Sequence, residues 1–154
     1  MDNKTISLDY ANSLIYELEK AFWDERGRGA RFRMTTVGRT YFAEKCRPLL
    51  KSKEIEDILR TVADLLQRDG IAAEVTYLRE DRLLRVKVSG CLHHAVEGQM
   101  VAHGIEPFTC VPANLIVLAI EETLDRPVEL AEVKIEDGAC NLMLVLFDRR
   151  PTLD

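Results

Sequence analysis

The sequence predicts an α+β fold: N-terminal helices, a β-hairpin, two further helices and a second β-hairpin, giving a mostly antiparallel four-stranded sheet packed by helices. Three observations carry that prediction. Apolar residues recur every three or four positions over residues 6–22 and 55–66, the period of helices with one buried face. The period falls to two over residues 73–88 and again beyond residue 128, as in strands with a buried side. Residues 115–120 are apolar at every position, the pattern of a helix buried on nearly all sides.

The first helix carries Ile6, Leu8, Ala11, Leu14, Ile15, Leu18, Ala21 and Phe22 on its apolar face, with Thr5 or Ser7 as its cap and Gly27 and Gly29 as its stop. Arg26, Arg28, Arg31, Arg33 and Arg39 then crowd a glycine-containing stretch. The net charge is −5 and only Phe32 is interleaved, so this reads as a solvated loop and no nucleic-acid partner is expected. Residues 40–68 are predicted helical in two pieces broken near Pro48, whose ring removes a donor and clashes with the preceding turn. Ser52 is the expected cap of the second piece and Gly70 its stop.

A hairpin follows, with Ala73, Val75 and Tyr77 alternating on one strand and Leu84, Val86 and Val88 on the other, a turn at Glu80-Asp81 and Gly90 at the close. Residues 91–103 are predicted helical. After a connection containing Pro107 comes the buried helix over residues 111–124, with Pro112 in its first turn, where a missing N–H is no loss. Strands over residues 128–135 and 141–147 are joined at Asp137-Gly138, a hairpin turn signal. The unbroken apolar run in the last strand predicts cover on both faces. We expect a single domain over residues 1–154, with a helical part at 1–70, a core at 71–148 and a polar tail at 149–154.

Composition narrows the function classes. Hydrophobic residues make up 47% of the 154, which excludes general disorder, and 8 Gly with 4 Cys exclude collagen-like and disulfide-scaffold chains. No apolar run approaches the roughly 20 residues of a membrane span. No basic segment feeding an apolar one opens the chain, so a cytoplasmic location is expected, where cysteines persist as buried thiols or metal ligands. There is no GxSxG, HExxH, P-loop or dinucleotide fingerprint, so no catalytic residue is expected.

Sulfur and imidazole concentrate late in the chain: Cys91, His93, His94, His103, Cys110 and Cys140 all fall between positions 91 and 140. Cys91 and His94 are three apart, which on a helix places them on one face, close enough to share an ion. Zinc favours such thiolate and imidazole ligands. Cys110 stands at a helix start, where the macrodipole favours a thiolate. Buried core thiols are the competing reading.

From residue 71 to residue 148 the order of elements, Cys91 after the first hairpin, Cys110 before the buried helix, the run Leu-Asp-Arg-Pro-Val-Glu-Leu-Ala-Glu at 124–132, and Gly138 with Cys140 entering the final strand resemble the 4-vinyl reductase domain family. That family is similar in fold to small subunits of the vesicle-tethering transport complex. The resemblance implies a small-molecule-binding domain. Its sensor members hold a zinc with three cysteines and a glutamate. By position Cys110 resembles the first cysteine, Glu132 the glutamate and Cys140 the last cysteine, while Ile135 stands nearest the place of the remaining one. Either Cys91 or His94 supplies the missing ligand, or the site carries no metal.

The resemblance also implies an apolar cavity between helices and sheet. Trp23, Phe108, Val111 and Leu115 are its candidate lining, with Tyr77 or His103 as a polar handle. A small apolar or aromatic molecule is the expected ligand, and a homodimer or a separate effector protein the expected outlet. The alternatives are a non-catalytic assembly or scaffold subunit, and an accessory subunit of a metal- or tetrapyrrole-related enzyme.

Overall fold

In the computed structural model, which describes residues 5–29, 37–108 and 110–148, an antiparallel four-stranded sheet is packed on one face by helices. The first helix, α1 (Leu8–Arg26), is capped by Ser7, whose hydroxyl accepts from the Tyr10 N–H at 3.1 Å. Of the arginine-rich stretch, Arg31, Phe32 and Arg33 lie outside the described residues, as do Thr109 and the tail.

The break near Pro48 is observed. A short helix α2 (Arg39–Tyr41) passes into a π-turn at Phe42–Cys46 and a 3-10 turn at Arg47–Leu49, and α3 (Ile55–Arg68) starts afresh. Phe42 and Cys46 are fully buried by that π-turn. Ser52 is not the cap of α3, whose N-cap position is held by Glu54. The Ser52 hydroxyl instead accepts from the Glu54 N–H and donates to Asp57. The helix stops at Gly70 by a paired closure, with Gly70 N–H donating to Gln67 and Ile71 N–H to Leu66.

The hairpin of β1 (Glu74–Glu80) and β2 (Leu83–Ser89) turns at Asp81-Arg82. Then come α4 (His94–Ala102), α5 (Val111–Leu124), β3 (Val128–Glu136) and β4 (Ala139–Leu146). The sheet order is β1-β2-β4-β3 with every pairing antiparallel. Asp137 and Gly138 both take positive φ (50° and 73°), the two-residue turn whose twist matches that of the strands it joins.

Alternation decides what faces the helices. Val75 on β1, Leu84, Val86 and Val88 on β2, and Cys140, Leu142, Leu144 and Leu146 on β4 are buried. Against them lies α5, buried without interruption from Pro112 to Ile120. Each fully buried Leu or Ile there contributes about 1.5–3 kcal/mol. Among the described residues the opposite face of the sheet is open, so the expectation of cover on both sides of β4 does not hold there: Met143 and Val145 are half-buried, and Leu78, Arg85 and Lys87 are exposed. A groove of about 440 Å³ lies on that open face, with Thr76, Arg85, Lys87, Lys134 and Met143 in its lining.

One irregularity matters for the site. In β3, Leu130 pairs with Leu144 but Glu132 pairs with Met143, so Ala131 is an extra residue in a β-bulge. Val128 and Leu130 face the helices before the bulge, and Val133 and Ile135 pack against the core after it.

Candidate functional site: a buried thiol–carboxylate cluster

Three backbone elements bring cysteines together. Gly90, at φ +62°, turns the chain out of β2, and Cys91 follows at once. Cys91 lies in the turn before α4, not on the helix: its carbonyl accepts from the His94 N–H at 3.1 Å. Cys110 occupies the N-cap position of α5, and Cys140 is the second residue of β4. All three are buried in the main core.

The group that joins Cys110 and Cys140 is Glu97, which the sequence reading did not single out. It projects from α4 and is only 4% exposed. The Cys140 thiol donates to the Glu97 carboxylate at 2.7 Å, and the Cys110 thiol also hydrogen-bonds to it. His94 places its Nδ1 3.8 Å from the Cys140 sulfur. The signal in the sequence was the spacing Cys91, His94, Glu97. Steps of three through a turn and the first turn of a helix keep side chains on one side.

Burial governs the chemistry of the cluster. It pushes the thiols of Cys91, Cys110 and Cys140 up, and the negative charge of Glu97 adds to the effect on each. The helix-start argument for a Cys110 thiolate is therefore overridden: desolvation outweighs the dipole of α5. Burial also raises Glu97, against the opposing pull of the two thiol hydrogen bonds and of His94. The protein thus holds a set of soft and hard donors in a buried site.

Glu132, the expected carboxylate, is not part of this set. It is exposed on the open face of the sheet, opposite Met143. The bulge at Ala131 is the reason, because it reverses the alternation just before Glu132. Ile135, at the place of the absent cysteine, faces inward and pairs with Cys140.

The expected pocket residues fall into two groups. Trp23 stacks on Phe108 at 6.1 Å between ring centroids, and both belong to a small cluster between α1 and α4 with Val96, Met100 and Ile105. His103 is exposed at the rim of that cluster, 5.7 Å from the Tyr16 ring, and its Nδ1–H donates to the Gln99 carbonyl at the end of α4. Val111 and Leu115 belong to the main core instead. Tyr77 is also packed on that core, its hydroxyl reaching the Glu56 carbonyl on α3.

Among the described residues, no three His, Cys, Asp or Glu side chains stand as a ready metal cage. Neighbouring ligand atoms on a tetrahedral zinc lie about 3.5 Å apart. The Cys140–His94 separation of 3.8 Å is close to that, while the 2.7 Å Cys140–Glu97 contact is a protonated pair drawn together. The donors fit zinc in kind: three sulfurs, a carboxylate and an imidazole are five candidates for four positions.

Comparison of the chain with models of known protein families and with curated proteins finds no match to either. No helix among the described residues is long and apolar enough to cross a membrane.

Proposed function

We propose that this protein is a non-catalytic ligand-binding or sensing domain built around a zinc held by Cys91, Cys110, Cys140 and Glu97. One observation carries the reading: two thiols, Cys110 and Cys140, hydrogen-bond to a single carboxylate that is 4% exposed, and its charge reaches the third thiol, Cys91. A buried carboxyl among protonated thiols is a costly arrangement for packing alone. Zinc would turn that arrangement into a structural site, since deprotonated thiolates and a carboxylate are the ligands it favours. A closed four-ligand site leaves no open position for substrate, which supports a structural or sensing role over a catalytic one. The resemblance to the 4-vinyl reductase domain agrees with this in the number of cysteines, although the carboxylate comes from α4 and not from β3.

The ligand side of the reading rests on the aromatic cluster of Phe22, Trp23 and Phe108. A small aromatic molecule would enter between α1 and the α4–α5 connection, with His103 at the rim as its polar contact. Four free cysteines suit a reducing compartment, so we place the protein in the cytosol.

Metal analysis of natively purified protein tests the core of the proposal. The expected result is one zinc per chain, lost in Cys110→Ala, weakened in Glu97→Ala and retained in Glu132→Ala. No zinc in the wild-type protein, or loss with Glu132→Ala but not with Glu97→Ala, would overturn it. Trp23 is the only tryptophan, so its fluorescence during titration with phenol or naphthalene tests the ligand side.

A second reading, an assembly subunit, has its own support. Ile6, Tyr10 and Leu18 are 71%, 61% and 64% exposed on or beside α1, more apolar surface than one helix usually shows to water. Self-association measured by ultracentrifugation, and its loss in Leu14→Lys/Leu18→Lys, would favour that reading.

A further inference from the structure

The way α1 is attached has a bearing on the cluster. Of its 19 residues only Asn12 is buried, and a buried amide stabilises only where its donors and acceptor are matched. Both of its hydrogen bonds go to one place. Nδ2 donates to the Leu92 carbonyl at 2.9 Å, and Oδ1 accepts from His93 Nδ1–H at 3.0 Å. Leu92 and His93 are the two residues between Cys91 and His94.

The same turn is tied to the domain from the other side. Leu92 N–H donates to the Ile71 carbonyl at 2.9 Å, and the His93 carbonyl accepts from the N–H groups of Val96 and Glu97. The segment therefore has two loads. Its backbone sets Cys91, His94 and Glu97, and its Leu92 carbonyl and His93 ring hold α1.

We propose that α1 is the output element of the cluster: zinc uptake fixes the Cys91–His94 turn and, through Asn12, tightens the docking of α1. This rests on the zinc reading above. Asn12 is then a positioning residue, acting on the ligands through Leu92 and His93. Coupling between two sites is reciprocal, so the hold of Asn12 on the turn must favour zinc by the same factor that zinc favours the docked α1.

Hydrogen exchange on the full chain, stripped of metal and then reloaded with zinc chloride, reads this directly. Zinc affinity is measured in parallel by competition with a chromophoric chelator. In the wild type, zinc is expected to slow exchange of α1 amides about tenfold. In Asn12→Ala the response of α1 disappears while that of α5 remains, and zinc affinity falls about tenfold, as for other outer-shell partners. Asn12→Asp keeps the side-chain shape and the acceptor for His93 but loses the donor to Leu92, and falls between the two. It serves if Asn12→Ala does not fold. Zinc uptake that leaves α1 exchange unchanged in the wild type, or slows it equally in Asn12→Ala, overturns the coupling alone. No zinc uptake by the wild type, visible in the chelator titration, overturns the zinc reading and the coupling with it.

Discussion

Replacing Gly90 by alanine tests how the chain is delivered from the first hairpin to the cluster. Two costs are separable in the structure. Gly90 sits at φ +62°, a conformation that disfavours an L side chain by about 1–2 kcal/mol. A Cβ there would also lie 2.7 Å from the Ala73 Cβ, where carbon atoms prefer about 3.5–4.0 Å. The strand start cannot simply back away. Ala73 N–H donates to the Ser89 carbonyl and Leu92 N–H to the Ile71 carbonyl, each at 2.9 Å on either side of the contact. Crowding of this kind costs about 1–3 kcal/mol. The sum, about 2–5 kcal/mol, corresponds to a fall in Tm of about 5–15 °C for a chain of this size. Urea and thermal denaturation of Gly90→Ala measure it. Ala73 is itself exposed, so Ala73→Gly alone is expected to do little. Adding it to Gly90→Ala should return the crowding part and leave only the φ part. A Gly90→Ala protein within 0.5 kcal/mol of wild type, or a double variant no better than the single, would refute the reasoning.

Three further outcomes are expected. The Tyr41 hydroxyl donates to Asp69 and holds its carboxyl below the usual aspartate range. A lowered folded-state pKa adds stability above the ordinary aspartate value, lost as the pH falls through the lowered one. The gap in denaturation midpoint between wild type and Tyr41→Phe should therefore be present at pH 7 and close in acid, and a gap constant with pH would contradict this. Cys46 is fully buried, and burial with the nearby Glu122 charge pushes its thiol to about 11. Iodoacetamide at pH 8 should label it only at the rate of unfolding, and mass spectrometry showing rapid labelling of folded protein would argue otherwise. Leu144 is fully buried between β2, β3 and α5. Leu144→Ala should cost about 2–5 kcal/mol in urea denaturation, and a loss below 1 kcal/mol would mean that the core closes over the gap.

Much of the fold was legible where local periodicity and core burial agree, which they do not along α1, where Leu8, Leu14 and Leu18 of the expected apolar face are exposed. The stripe of α3 from Ile55 to Leu66, the uninterrupted burial of α5 and the Asp137-Gly138 turn each follow from side chains a few positions apart. The cluster was legible only in part. That Cys91, Cys110 and Cys140 meet is a matter of tertiary packing across many intervening residues, which no short-range pattern encodes. Glu97 was passed over because a glutamate on a helix reads as a solvent-facing residue until its neighbours are known. Glu132 was named from the resemblance, and the extra residue at Ala131, which no local pattern announces, turns it to the far face of the sheet. The open face of the sheet was missed for a different reason. Met143 and Val145 are apolar, and apolar residues alone do not reveal whether anything covers them.

The bulge in β3 also governs which changes in length the strand can absorb. Its two apolar pairs, Val128 with Leu130 and Val133 with Ile135, are of opposite parity, and no regular strand of this sequence could turn both towards α5. Loss of Ala131 would regularise the pairing and leave every other side chain on its present face. Loss of Glu129 or Lys134 would instead bring the two members of an apolar pair side by side, so that one of them turns to water. Insertions and deletions in this strand are therefore neutral in facing at a single position. Any alignment that treats β3 as a regular strand slips by one residue at Ala131, and everything from Glu132 to Glu136 is then matched to the wrong side of the sheet.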